Sequence, residues 1–304
     1  MKVGIFYNSI ANVAKFPHKG LLMDLFKQGV LANGDTPVEF RNSILPVQQL
    51  DAGFILGYTL DNNFRKQIIT RLESMKIPRI YVDSNILNYA RNDNQWHRYS
   101  IDSVYPNEGT YFFSDIDKTK WDRFSAWYNV SVKPWRKDGN HILLLCQRPK
   151  GWNMLGNQEE WVERMIKLIR AQNSWRPIVI RMHPGDASKH IFEKKIMQRY
   201  SGHVRFSTAE NISTDLQNCW CAVGYNSTPN VVSAIEGVPV YLEDPERSWA
   251  KDVCFKSLTQ LNDPPMPDRS EWIHDIANIH WSNDEVKSGK LWYNIKNYIS
   301  SAQK

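Results

Sequence analysis

Three short segments carry side chains suited to holding a phosphorylated ligand. In Gly224-Tyr225-Asn226-Ser227-Thr228-Pro229-Asn230 an apolar run ends, amide and hydroxyl groups follow, and proline stands where a helix would begin. Proline at the first helical position after Ser or Thr makes a well-formed helix N-terminus. Its free N–H groups and the positive end of the helix dipole suit a phosphate, and Ser227 and Thr228 can add hydroxyl donors. An ordinary capped helix would carry the same residues. In Arg181-Met182-His183-Pro184-Gly185, Arg181 offers a forked, permanently charged donor for a diphosphate. His183 could donate to a phosphate or a leaving group, or serve the turn alone. In Cys146-Gln147-Arg148-Pro149-Lys150-Gly151-Trp152, two cations and a flexible glycine follow an apolar run. No G-x-G-x-x-G and no G-x-x-x-x-G-K-[ST] pattern is present, so neither a standard dinucleotide fold nor a P-loop NTPase is supported.

Such segments act together only if a scaffold brings them to one edge. Residues 2–7 read as an apolar strand, followed by a polar stretch that includes Asn8. Helical spacing over 21–31 stops at Asn33-Gly34. Residues 38–40, the continuous apolar run 52–58 and residues 78–82 read as further strands, with a helix from Asp61-Asn62 through Ser74 between the last two. From 83 to 137 the alternation dissolves into an Asn-, Asp-, Tyr- and Trp-rich stretch; short strands are expected at 104–105 and 111–113 and a helix over 120–128. A second series begins at His141. Strands are expected at 142–146, 177–181, 204–206, 220–224 and 238–242. Helices are expected at 158–173, 189–200, 229–236 and, capped by Ser213, up to 218. Strands alternating with helices imply βαβ units and parallel sheets. The expected fold is therefore α/β: two Rossmann-like domains facing a cleft, residues 1–136 and 137–283, with a C-terminal helix in 284–304 packing back on the first. Ligands of open α/β sheets bind at the C-terminal ends of the strands. All three segments lie there, supplying Gln147, Arg148, Lys150, Gly151, Arg181, His183, Asn226, Ser227 and Thr228 to a nucleotide-diphosphate site with no obligatory metal. Glu243 and Asp244, after the last strand, could take ribose or sugar hydroxyls.

The run Asn226-Ser227-Thr228 followed by Gly237-Val238-Pro239-Val240, together with Ile180-Arg181-Met182-His183-Pro184-Gly185, resembles the donor half of GT-B glycosyltransferases. The group related to capsule-polysaccharide transferases, with an R-x-H-P turn and an N-S-T…G-x-P-V unit, is the nearest. The resemblance covers residues 142–244; the first half shares only the βαβ pattern. One departure stands out. That group commonly has Glu five residues before the Gly of G-x-P-V, where this chain has Val232, so Glu236 is the only acid left in the helix for a ribose contact. The resemblance implies a hexosyltransferase whose second half binds a nucleotide sugar, UDP-glucose being the expected donor, with no permanently bound cofactor. It implies an acceptor site and general base in the first half. Asp83, ending the strand 79–82, is the expected base of an inverting transfer, although Asp83-Ser84-Asn85 could simply cap a turn. Asn8 and Lys19 are further acceptor-side candidates. Asp115-Ile116-Asp117 matches the metal motif of the other large glycosyltransferase class, but Asp117 is expected to cap the next helix.

Charge and aromatics bear on the acceptor. The chain has 38 Lys+Arg against 32 Asp+Glu, a formal charge of +6. Residues 147–206 hold 12 basic and 5 acidic side chains, and residues 117–137 hold 6 and 2, interleaved with Trp121, Phe124, Trp127, Tyr128 and Trp135. Basic plus aromatic side chains suit a nucleic-acid groove; a helix packing its Trp face on the core would show the same pattern. A compact, basic GT-B chain with such an insert is similar in character to phage DNA glucosyltransferases. This implies transfer of glucose to 5-hydroxymethylcytosine in double-stranded DNA, by analogy of fold and charge. A capsule or other cell-surface glycan acceptor, and a non-catalytic nucleic-acid-binding protein, are the alternatives. With 42% hydrophobic and 23% charged residues, global disorder is excluded. No apolar run could span a bilayer and no signal peptide is recognisable. Four cysteines do not make a disulfide scaffold. The expectation is a cytoplasmic monomer without membrane partner, in the host cytoplasm if phage-encoded.

Overall fold

The computed structural model describes residues 1–10, 17–41, 49–57, 63–91, 93–148, 154, 156–172, 175–186, 189–202 and 204–302. The chain forms two compact units: Met1–Asn88 with Asn92–Phe124 and Ile273–Lys304, and Tyr89–Arg91 with Ser125–Trp272. Residues 125–136, grouped with the first domain by the sequence pattern, thus belong to the second unit.

The first unit is built on β1 (Lys2–Phe6), α1 (Pro17–Ala32), β2 (Thr36–Phe40), β3 (Ala52–Leu56), α2 (Asn63–Ser74), β4 (Arg79–Asp83), β5 (Trp96–Ile101) and the first turn of α3 (Lys120–Tyr128), whose residues from Ser125 on fall in the second. The sheet order is β11-β5-β4-β3-β1-β2, where β11 (His280–Ser282) returns from the C-terminal end of the chain. Strands β1 to β4 are mutually parallel; β5 runs antiparallel to β4, and β11 antiparallel to β5. The sheet is covered on both faces, which is why β3 (Ala-Gly-Phe-Ile-Leu) is apolar at every position. One face packs α1 through Met23, Phe26 and Val30, with Phe26 stacked on Phe54 at 3.9 Å between ring centroids. The other packs Ile68, Ile69 and Leu72 of α2.

β5 lies inside the stretch expected to be irregular. All six of its residues, Trp-His-Arg-Tyr-Ser-Ile, are buried. The strands expected at 104–105 and 111–113 do not form; Thr110 makes only an isolated bridge to Ile101. The expected C-terminal helix is two helices, α9 (Asn283–Lys287) and α10 (Lys290–Ala302). Gly289 breaks them at φ +86°, a conformation that side chains bearing Cβ rarely adopt. α10 does pack on the first unit, through Leu291, Trp292, Ile295 and Ile299. It is anchored by Asp35, whose carboxylate accepts from Trp292 Nε1 (2.8 Å), Lys296 Nζ (2.8 Å) and the Met1 ammonium (2.5 Å).

The second unit is a five-stranded, all-parallel sheet, order β10-β9-β6-β7-β8. Its elements are β6 (His141–Leu145), α4 (Gln158–Ala171), β7 (Ile178–Arg181), α5 (Lys189–Tyr200), β8 (Val204–Phe206), α6 (Ile212–Leu216), β9 (Cys219–Gly224), α7 (Thr228–Ile235) and β10 (Val240–Leu242); α8 (Ser270–Asn278) starts in this unit and from Ile273 on belongs to the first. β6 and β9 are buried at every position. α4 begins at Asn157, whose side chain accepts from Glu159 N at 2.8 Å, and buries Trp161, Val162, Met165, Ile166 and Ile169. α6 is capped by Asn211 rather than by Ser213, whose own N–H it receives at 2.9 Å. Among the described residues no helix is long and apolar enough to cross a membrane.

The Asp35 anchor gives a pH signature. Burial works to raise its pKa, but the bonds from Lys296, the terminal ammonium and Trp292 outweigh it and bring it down from 3.8 to about 2. A depressed carboxyl pKa contributes stability that is present above the unfolded value and lost as pH falls through the folded one. At roughly 1.4 kcal/mol per unit this is about 2 kcal/mol. Asp35→Asn should lower unfolding free energy by that order at pH 7. The difference should close between pH 4 and 2, as read by urea titration at a series of pH values.

Candidate functional site

In the second unit the strand order reverses between β6 and β9: the chain leaves β6 toward β7 and β8 on one side, and β9 and β10 lie on the other. At such a reversal the neighbouring loops diverge and leave a crevice at the C-terminal strand ends. Gln147 follows β6 and Asn226 follows β9, at those ends. Both are buried, at 2% and 8% exposure, and Gln147 Nε2 donates to Asn226 Oδ1. Asn226 Nδ2 in turn donates to Asp244 Oδ2, after β10, at 3.0 Å. One amide chain thus ties three strand ends together.

Next to it begins α7. Ser227 is its N-cap residue, yet its hydroxyl makes no bond to the helix N–H groups. The hydroxyl instead accepts from Asn230 Nδ2 at 3.2 Å, which also reaches Ser227 O at 3.0 Å. Asn230 is fully buried and fills the space beside Gly224, where a Cβ would come within 2.3 Å of the amide. The start of α7 is therefore held rigidly without Ser227 closing it, leaving helix donors for an anion. Asn230 is a site residue that the sequence reading passed over; proline followed by Asn in a first turn was the available signal.

After β7, His183 is half-buried and its Nδ1 accepts the Gly185 N–H at 2.9 Å. Burial, and then the positive charge of Arg148, push its pKa down. The imidazole is neutral at pH 7 and carries its proton on Nε2, a fixed donor beside the exposed guanidinium of Arg148. Arg148 and His183 are thus brought together.

Arg181 behaves differently from the expected diphosphate ligand. Its Nη1 donates to Asp215 Oδ2 (2.5 Å) and Ala209 O (2.9 Å), and its Nη2 to Glu210 O (2.9 Å). The guanidinium thereby holds the turn between β8 and α6. Glu236 lies at the C-terminal end of α7, about 12 Å from its start at 1.5 Å rise per residue. It accepts from Tyr89 OH at 2.8 Å and from Lys133 Nζ. Burial, and then the Glu236 charge, push the Tyr89 hydroxyl pKa up. Glu243 is paired with Arg164 of α4 at 2.8 Å. Thr228 opens α7 half-exposed. Lys150 and Gly151 lie outside the described residues.

In the first unit Asp83 ends β4, and both its oxygens are engaged: Oδ2 accepts from Arg98 Nη2 at 2.6 Å and Oδ1 from Ser84 N at 2.7 Å. Asn8 follows β1. Lys19, in the first turn of α1, is half-buried, and burial, then Arg65, lower its pKa. Asp117 caps α3: Oδ1 accepts from Thr119 N at 2.9 Å, and Oδ2 from Arg123 at 2.8 Å. Among the described residues no group of three or more His, Cys, Asp or Glu is placed to hold a metal ion.

Several of the aromatic side chains of residues 117–137 are turned to internal tasks, while Lys118, Arg123, Lys133 and Lys137 are exposed. Phe124 is buried against Trp96 and His280, at 5.2 and 4.5 Å between ring centroids. Trp135 donates to Pro267 O at 2.7 Å and lies under Arg269, 3.8 Å from its ring centre. Arg136 donates to Leu216 O and Cys219 O. Trp127 is exposed, with Arg91 over its ring at 5.0 Å.

No family model matches the chain, and no curated protein matches it in sequence. Solved structures do match in fold. One is Thermosulfurimonas dismutans KpsC, described as a beta Kdo 2,7 transferase, at a TM-score of 0.54 and 12% identity over 98% of both chains. Another is KpsC of the same organism described as a beta Kdo 2,4 transferase, at 0.51 and 14% identity, over 86% of this chain and 89% of that one. The class defined is the GT-B fold of two Rossmann-like units; at these identities the likeness is one of fold.

The packing of Gly224 against Asn230 is directly testable. Gly224→Ala forces the amide aside, and overpacking of this kind costs about 1–3 kcal/mol. Thermal melts should show the loss, and Asn230→Ala in the same background should recover part of it.

Proposed function

We propose that the chain is a glycosyltransferase that uses a nucleotide sugar, the second unit binding the donor and the first the acceptor. The observation carrying this reading is the convergence of Gln147, Arg148, His183 and the start of α7 at the β6/β9 reversal of an all-parallel sheet. In this reading the N–H groups of α7, with Ser227 and Thr228, hold phosphate oxygens. Arg148 neutralises the charge that grows on the departing nucleotide, and His183 Nε2–H hydrogen-bonds to it. Asn226 and Asp244 face the sugar or ribose hydroxyls. Arg181 acts one step removed, by holding the turn after β8 through Asp215.

The acceptor in this reading is a hydroxyl of a glycan. The fold is shared with enzymes described as Kdo transferases, whose sugar is an acid rather than a hexose, and this favours a charged sugar over glucose. Transfer to hydroxymethylated DNA is the less favoured reading, because Trp135 and Arg136, two of the residues on which it stood, are engaged in packing and internal bonds.

The test is incubation with a panel of nucleotide sugars, UDP-glucose and a CMP-linked acidic sugar included, with oligosaccharide and hydroxymethylated DNA acceptors, read by mass spectrometry. Transfer to, or donor hydrolysis with, at least one pair is expected; inertness toward every donor would sink the reading. Arg148→Ala removes a charge-assisted contact of roughly 1.5–3 kcal/mol, so calorimetric affinity for the matching free nucleotide should fall about ten- to a hundredfold. Arg181→Ala should lower thermal stability more than Arg148→Ala does, because it leaves Asp215 buried without its cation.

A further inference from the structure

The strand order of the first unit also reverses. β1 leads to β2 on one side, while β3, on the other side of β1, leads away to β4 and β5, so the reversal falls between β1 and β3. Open α/β sheets take ligands at the C-terminal strand ends of such a reversal. Ser9, fully buried just after β1, ties the two ends. Its Oγ accepts from the N–H of Leu56, the last residue of β3, at 3.1 Å, and its carbonyl accepts from Arg65 Nη2 of α2 at 2.7 Å.

The helices that leave these strand ends begin with cations. Lys19 stands in the first turn of α1, Arg65 and Lys66 in that of α2, and neither first turn holds an acid. The positive end of a helix dipole favours Asp and Glu and disfavours Lys and Arg, so first turns are commonly acidic. The cations also act on one another. Burial, and then the charge of Arg65, lower the pKa of Lys19, which puts the two within electrostatic reach across the reversal. Arg65 is buried, whereas Lys19 is half-buried and Lys66 exposed, so solvent reaches the cluster. Charge set against local preference at a ligand-binding edge marks a functional site rather than a stabilising one.

We propose that the first unit binds an oxyanion at the β1/β3 reversal, a carboxylate or phosphate group contacted by Lys19, with buried Arg65 adding its charge. The anion offsets the repulsion between the two cations and faces the positive end of α1. This site stands on the first unit alone. That its occupant is part of the acceptor rests on the glycosyltransferase reading, and narrows the acceptor to an acidic or phosphorylated glycan.

The experiment titrates the full chain with inorganic phosphate and, separately, with acetate, and follows the backbone amides of residues 18–20 and 64–66 by NMR. With one direct cation, binding of the free ion is expected in the millimolar range, so nucleotide at concentrations that saturate the second unit leaves the first unchanged. Both sets of amides should shift with at least one of the two ions. Lys19→Gln should weaken that response about tenfold, and Lys19→Arg should keep it. Nucleotide affinity of the second unit, unchanged in both variants, verifies that they are folded. The melting temperature of Lys19→Gln in low-salt buffer without phosphate should stay level or rise, which a lysine kept for stability would not give. Amides that respond to neither ion overturn the proposal, as does an undiminished response in Lys19→Gln or an equal loss in Lys19→Arg. Acidic, phosphorylated and neutral oligosaccharides then separate the sources of the anion. Lys19→Gln should raise KM about tenfold for the matching acceptor and leave kcat and the neutral acceptor unchanged. If the chain transfers no sugar from any donor while the titration behaves as expected, the glycosyltransferase reading fails and the anion site stands.

Discussion

The bond from Gln147 to Asn226 is the constraint on which the candidate site depends. At a strand-order reversal the loops after β6 and β9 diverge, and nothing in the sheet itself fixes how far. The amide pair fixes it, and Asp244 extends the tie to β10. Gln147 and Asn226 are uncharged, and the carboxylate of Asp244 is held by the Asn226 amide. Positive charge enters from the side, through Arg148, while the start of α7 contributes partial charge that needs no counter-ion. The cationic rim and the helix donors together suit an anion that must bind and then leave.

The two units use their sheet edges differently. In the second, the buried acid Asp215 draws Arg181 away from the crevice, and Ser207 Oγ adds a bond to the same carboxylate at 2.7 Å. The result is a rigid rim on the β7–β8 side. In the first, Arg98 and Asp83 form the corresponding ion pair. In each unit an Arg–Asp pair stiffens the sheet edge.

Much of this was legible in the chain. β3, β6 and β9 are continuous apolar runs because they are buried on both faces. β5 was not legible: His97, Arg98 and Ser100 look like loop residues, and only pairing with Asp83, Ser84 O and the neighbouring strands makes them strand. β11 is three residues long and gains its place from β5 alone. The role of Arg181 was misjudged for a similar reason, since Asp215 lies 34 positions away. Glu236 was placed in the correct helix but at its far end, where Lys133 and Tyr89 meet it. Local pattern reports burial and turns; partners distant in sequence decide which charges are available for a ligand.

The central claim is that a nucleotide binds at the β6/β9 reversal of the second unit. Hydrogen–deuterium exchange with and without saturating free nucleotide tests it most directly, because it reads the backbone N–H groups that the claim invokes. Slower exchange at residues 225–231 and 146–148, with the first unit unchanged, is the predicted result. Protection confined to the first unit, or absent at the start of α7 while calorimetry reports binding, would contradict the account.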